Sequence, residues 1–202
     1  MALQAAGRAT EDAAPLAMGG DPLDELATRL QRACLAAGST VALAESCTGG
    51  LIAAALTDIA GSSGYFVGGV VSYSNESKRD LLGVDPAVLE AHGAVSAQVA
   101  RAMAMGARER FGATLAASVT GIAGPDGGTA AKPVGLTYIG VADARGVDVR
   151  RIVWPGDRAA NRRDSVVAAL QMLLDRVETD DPTPILATAG RSAGRATGPQ
   201  PE

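Results

Sequence analysis

Residues 40–59 read TVALAESCTGGLIAAALTDI, and the α/β character of the chain is already visible in them. Residues 40–44 form a short apolar run that suits a strand, and Glu45-Ser46-Cys47-Thr48-Gly49-Gly50 passes directly into an alanine-rich helix over roughly 49–59. A strand that enters a helix through a polar, glycine-bearing turn is the repeating unit of an α/β layer.

The alternation continues on both sides of this unit. Upstream, Asp21-Pro22 caps and starts a helix with Leu23, Leu26, Leu30 and Ala33 on one face, stopped by Gly38. Downstream, 65–73 (YFVGGVVSY) reads as a strand, with short helices at 75–82 and 86–91 halted by Gly83 and Gly93. Ser96 caps a longer helix that reaches Phe111 and stops at Gly112. Residues 113–119 are a small apolar strand fit for burial on both faces, whereas 120–133 hold too much glycine to be regular. Strands at 134–142 and 147–154 flank the hairpin turn Asp143-Ala144-Arg145-Gly146, and a last helix covers roughly 157–177. The hairpin is antiparallel, so the sheet is expected to be mixed; its strand order is not fixed by this reading. Residues 1–21 and 178–202 are aperiodic and rich in Ala, Gly, Thr and Pro, and are expected to be disordered tails around one domain, 22–177.

Composition narrows the classes of function. The formal net charge is -4, all of it carried by the two ends, so the core is neutral and lacks the basic footprint of a nucleic-acid binder. No apolar run is long enough to span a membrane, and the N-terminus shows no basic region followed by an apolar stretch. Two cysteines, Cys34 and Cys47, and one histidine give no zinc-ligand set, and a reduced, cytoplasmic protein is the simplest expectation. Among the cations, 16 are Arg and only two, Lys78 and Lys132, are Lys.

Three polar segments stand where strands lead into loops or helices: 45–50, 72–78 and 120–128. Ser46 in the first suits a nucleophile whose developing charge faces helical N–H groups, and it equally suits helix capping, as does Thr48. A Ser-His-Asp triad is poorly supported, because the lone His92 lies at a helix end. A proton acceptor other than histidine would therefore be needed. Lysine can lose its proton when desolvated and arginine cannot, which singles out Lys78, one turn into its helix, with Tyr73 nearby. Pairing of Lys78 with a surface carboxylate and packing of Tyr73 remain the alternative. In the third segment, Thr120 and the glycines from Gly121 onward can crowd hydroxyl and N–H donors around an anion. Lys132 and the cluster Arg158, Arg162, Arg163 add charge for a phosphate, although Arg158 and Arg162, at i and i+4, equally fit a solvated helix face. There is no Walker A sequence.

Taken together, Ala44 to Gly50, Thr57 to Ser63, Tyr73-Ser74-Asn75-Glu76-x-Lys78, His92 to Ser96, Thr120 to Gly128 and Pro155-Gly156-Asp157-Arg158 resemble the CinA C-terminal domain family. The likeness covers about 22–177; the additional N-terminal domain of full-length CinA proteins is not seen in this sequence. The family's stand-alone members include nicotinamide-nucleotide amidase. The resemblance implies a three-layer α/β/α sandwich, a homo-oligomer and a metal-independent, cofactor-free amidohydrolase. Its substrate would be a small nucleotide, nicotinamide mononucleotide, converted with water to nicotinate mononucleotide and ammonia. Carried over, Ser46 is the nucleophile, Lys78 its base and Tyr73 a positioning or relaying hydroxyl. Thr120 would meet the substrate near its carboxamide, with Thr48, Gly49, Gly50 and Gly121 beside it, and Arg158 would engage the phosphate. A catalytically silent binding or regulatory module, linked to competence or DNA damage, is the competing expectation.

Overall fold

The computed structural model describes residues 21–179. The expected loose ends, 1–21 and 178–202, lie outside the described residues except at their inner edges. There Asp21 accepts from the Leu23 N–H as the first helix cap, and the last helix runs on to Glu178.

Six helices and five strands are arranged as the alternation predicts. The helices are α1 (Pro22–Ala37), α2 (Leu51–Thr57), α3 (Asn75–Leu82), α4 (Pro86–His92), α5 (Ala97–Phe111) and α6 (Arg158–Glu178). The strands are β1 (Val41–Glu45), β2 (Phe66–Val71), β3 (Leu115–Gly121), β4 (Leu136–Asp143) and β5 (Gly146–Val153). Side-chain caps from Asp21, Ser74, Asp85, Ser96 and Asp157 start five of the helices, and left-handed glycines at 38, 83 and 112 end three. One single-turn 3₁₀ helix at Ser62–Gly64 was not anticipated.

The sheet order is β2-β1-β3-β4-β5; β2, β1 and β3 run parallel, and β4 is antiparallel to both of its neighbours, β3 and β5. The sheet is mixed, and a core lies on each face. Leu26, Leu30, Ile52, Leu170 and Leu173 pack from α1, α2 and α6 on one side, while Leu82, Val99, Met103 and Ala107 pack from α3 and α5 on the other. This gives a single α/β/α domain. β1 and β3 are adjacent although the chain leaves β1 for β2 first, so the connections from their C-terminal ends part to opposite sides. Such a switch point opens a crevice in a parallel sheet. The register sets Glu45 opposite Val71 on one side and Val119 on the other, so Ser46 emerges between Ser72 and Thr120.

Several element edges differ from the sequence reading for identifiable reasons. α2 begins at Leu51 rather than 49 because Gly49 and Gly50 take φ of 63° and 97°, outside the helical region. β3 lies two residues later than expected, which places Thr120 and Gly121 in the strand instead of the loop. Among the described residues, no helix is long and apolar enough to cross a membrane.

Candidate active site

The crevice holds a cavity of about 260 Å³ to which all three singled-out segments contribute. Ser46 and Cys47 come from the end of β1, Tyr73 and Lys78 from the start of α3, and Thr120 to Gly124 from the end of β3 and beyond. Ala94 and Val95, from the α4–α5 connection, close one wall, and Arg158 at the first turn of α6 closes another.

Lys78 is the central observation. It is only 1% exposed, an unusual state for a lysine, and its Nζ lies 3.1 Å from Ser46 Oγ while donating to the Ser72 carbonyl at 2.7 Å. Its ammonium meets no carboxylate among the described residues. Burial therefore lowers its pKa below the ordinary lysine value, with the neighbouring Cys47 thiol opposing weakly. The alternative of a solvated Lys78 paired with a surface acid is not what the structure contains. Ser46 is fixed from behind, its N–H donating to the Val119 carbonyl. Cys47 also borders the cavity, but burial pushes its thiol up to about 11, so it remains protonated and a poor rival nucleophile.

The turn after Ser46 is organised differently from the sequence expectation. The Glu45 carboxylate, itself buried, accepts from the N–H groups of Gly50, Ile52 and Ala53. The first turn of α2 is thereby satisfied internally and is not available to a developing anion. Gly49 N–H donates to the Ser46 carbonyl, and no backbone acceptor is found for Cys47 or Thr48 N–H among the described residues. Thr48, Gly49 and Gly50 do not line the cavity. Thr48 is fully buried, and the two glycines supply the left-handed conformations that let the chain turn into α2. Sequence reasoning passed over Glu45, although a carboxylate directly ahead of a helix is a capping signal.

On the opposite wall Thr120 is buried and its hydroxyl donates to the Ala94 carbonyl at 2.8 Å, while Gly121 lies beside it on the lining. Tyr73 stands at the mouth, 64% exposed, and makes no side-chain hydrogen bond among the described residues. The structure separates the three arginines. Arg158 lines the cavity and donates to the Gly124 carbonyl; Arg162 donates to the Cys47 and Thr48 carbonyls; Arg163 pairs with Asp21 far along the chain. Lys132 is not on the lining either. Its Nζ donates to the His92 carbonyl, tying the glycine-rich loop to the end of α4, where His92 is the last residue.

The sequence profile of the CinA C-terminal domain matches residues 23–177, essentially the whole described fold. The chain belongs to this family. A CinA-like protein of Geobacter sulfurreducens is 48% identical over 191 residues, which cover 88% of this chain and 46% of the relative. Another, of Mycolicibacterium gilvum, is 58% identical over 144 residues, covering 71% of this chain and 34% of its own length. The chain thus spans less than half the length of these curated relatives. Among solved structures, the competence/damage inducible protein CihA from Agrobacterium tumefaciens is 44% identical, with a TM-score of 0.76 over 79% of this chain and 98% of that one. A CinA superfamily protein from Escherichia coli is 31% identical, with a TM-score of 0.75 over 81% and 94%. These CinA structures share the α/β fold of the present domain.

Proposed function

We propose that this CinA domain is a serine amidohydrolase that deamidates nicotinamide mononucleotide to nicotinate mononucleotide and ammonia. The observation that carries the reading is the buried Lys78 Nζ at 3.1 Å from Ser46 Oγ, with no carboxylate to hold its proton. Neutral Lys78 takes the Ser46 hydroxyl proton as Oγ attacks the carboxamide carbon. The C–N bond then breaks, and the Lys78 ammonium returns the proton to the departing amine, releasing ammonia and leaving an ester on Ser46. Water attacks that ester as Lys78 accepts its proton; the Ser46 Oγ–acyl bond then breaks and Lys78 returns the proton to Oγ. The acid leaves as the carboxylate with its own proton lost to solvent, so that Ser46 and neutral Lys78 are restored. Backbone N–H groups that border the cavity and lack a backbone acceptor supply the donors for the tetrahedral oxyanion; Cys47, Ala123 and Gly124 carry such groups.

Arg158 is assigned to the substrate phosphate, since of the three neighbouring arginines it alone borders the cavity. Thr120 and Gly121 contact the pyridine carboxamide, and the exposed Tyr73 hydroxyl reaches a bound substrate from the mouth. In this reading the enzyme is a cytoplasmic homo-oligomer acting on a free nucleotide without metal or other cofactor. The names of relatives speak only of CinA-like and competence- or damage-inducible proteins, which leaves a silent regulatory module as the rival. Ammonia release from the purified protein and the mononucleotide, in buffer containing a metal chelator, decides between them. Release that disappears in Ser46→Ala is the expected result, and its absence from the wild type would discard the amidase.

A further inference from the structure

α6 does more than supply Arg158. One turn further along it, Arg162 is half-buried and reaches the β1–α2 turn. Its Nε donates to the Cys47 carbonyl at 3.1 Å and its Nη2 to the Thr48 carbonyl at 2.7 Å. No carboxylate pairs with it among the described residues, so these two peptide oxygens are the partners that its charge has found. Gly49 follows the two carbonyls with a φ of 63°, a conformation that favours glycine, while a Cβ there would no more than touch Nη2 at 3.4 Å. The same turn is held on its other side by Glu45, which takes the N–H groups of Gly50, Ile52 and Ala53. The turn after Glu45 is thus held in its middle by a guanidinium on the Cys47 and Thr48 carbonyls, and where it enters α2 by a carboxylate on the amides of Gly50, Ile52 and Ala53.

We propose that Arg162 is a positioning residue for the nucleophile. By bridging two successive carbonyls it fixes the peptide planes that follow Ser46, and with them the Ser46 hydroxyl against Lys78. In a trans peptide the N–H points away from its carbonyl, so the Thr48 N–H is turned away from the guanidinium. The planar fork of arginine suits this bridge, and a lysine ammonium, a single point donor, does not replace it. The inference rests on the amidase reading only in taking Ser46 as the nucleophile; it needs no particular substrate.

The test compares wild type, Arg162→Met and Arg162→Lys with two readouts. One is phosphonylation of Ser46 by a fluorophosphonate, followed by mass spectrometry: the Ser46 Oγ–P bond forms, the P–F bond breaks, fluoride leaves, and the serine proton passes to Lys78. The other is deamidation kinetics on nicotinamide mononucleotide and on the riboside that lacks the phosphate. Arg162→Met is expected to slow phosphonylation and kcat about 10²-fold, as a misplaced reacting group does, with KM for the nucleotide little changed. Arg162→Lys is expected to recover little of the loss, and it carries the comparison if the methionine variant does not fold. Phosphonylation of both variants at the wild-type rate would overturn the proposal. So would a rise in KM for the nucleotide that vanishes with the riboside, which would make Arg162 a phosphate ligand. Wild-type protein that is phosphonylated at Ser46 but deamidates neither compound would sink the substrate assignment alone, with the labelling rates still deciding the role of Arg162. Wild-type protein that is neither phosphonylated at Ser46 nor active on either compound would sink both.

Discussion

Two loops meet at the switch point of the sheet, and they are built on opposite principles. The turn after β1 is five residues long, held by Arg162 on the Cys47 and Thr48 carbonyls and by Glu45 on Gly50 N–H and the first amides of α2, and carries a buried serine. The connection after β3 is longer and glycine-rich, with residues 125–131 exposed, and is tethered at points. Asn161 holds the Ala123 carbonyl, Arg158 that of Gly124, and Lys132 joins it to the end of α4. A wall closed on itself faces one that is buried or half-buried and pinned at its inner end, Thr120 to Gly124, and solvated over 125–131. Bond-making groups gain from the first environment, because burial alters proton affinity and fixes geometry; groups that admit and hold a ligand gain from the second.

That contrast sets the order of effects expected from substitution. Ser46→Ala is expected to remove about 10⁴-fold or more of the deamidation rate, measured as ammonia release under saturating substrate. Lys78→Met follows, with a loss of about 10²- to 10⁴-fold in kcat. A Lys78 variant that kept a normal rate would erase the distinction between the walls.

The pH dependence sharpens the same point. The base works only when neutral, so kcat is expected to rise with pH along a limb that lies below the ordinary lysine value of about 10.4. Stability carries the matching sign. With its pKa lowered in the fold, Lys78 binds its proton more weakly there than in the unfolded chain. Wild-type stability therefore climbs with pH through the window below the ordinary lysine value, and levels off above it. Melting temperatures across that range are expected to climb less steeply for Lys78→Met than for wild type.

Changes to the other wall should act on binding. Arg158→Gln is expected to raise KM for the nucleotide about 10- to 100-fold, the range of a charge-assisted contact, and to leave the riboside almost untouched. An equal loss on both compounds would show that Arg158 serves the Gly124 loop rather than a phosphate. The smallest effect is expected of Lys132→Met. It removes one exposed hydrogen bond to the His92 carbonyl, costing about 0.5–1.5 kcal/mol of stability by thermal unfolding.

Much of this domain can be read locally. Asp21-Pro22, Ser96, Gly38, Gly83 and Gly112 mark helix boundaries because caps and left-handed glycines act within a few residues of themselves. The three polar segments are visible for the same reason, since each sits where its own strand ends. Arg162 is the instructive miss. At four residues from Arg158 it fits a solvated helix face equally well, and its partners are 115 and 114 residues away, so no local pattern distinguishes the readings. Glu45 was within reach of a capping argument, and the consequence it has for α2, whose first N–H groups are already taken, follows only from the folded geometry.

The sequence by itself determined the alternation of elements, the hairpin and hence the mixed sheet. It also singled out Lys78, in a chain that writes nearly every cation as Arg, as a residue type able to give up its proton, with a solvated, ion-paired Lys78 still open. Tertiary structure decided the strand order, which brings β1 beside β3 across some 70 intervening residues, and with it the meeting of the two walls. It also decided that Lys78 is buried without a counter-charge and that, of the three arginines, Arg158 alone borders the cavity. The division follows from range. Backbone propensity and capping are properties of neighbours in sequence, whereas desolvation and the direction of a long side chain depend on whatever the rest of the chain packs around them.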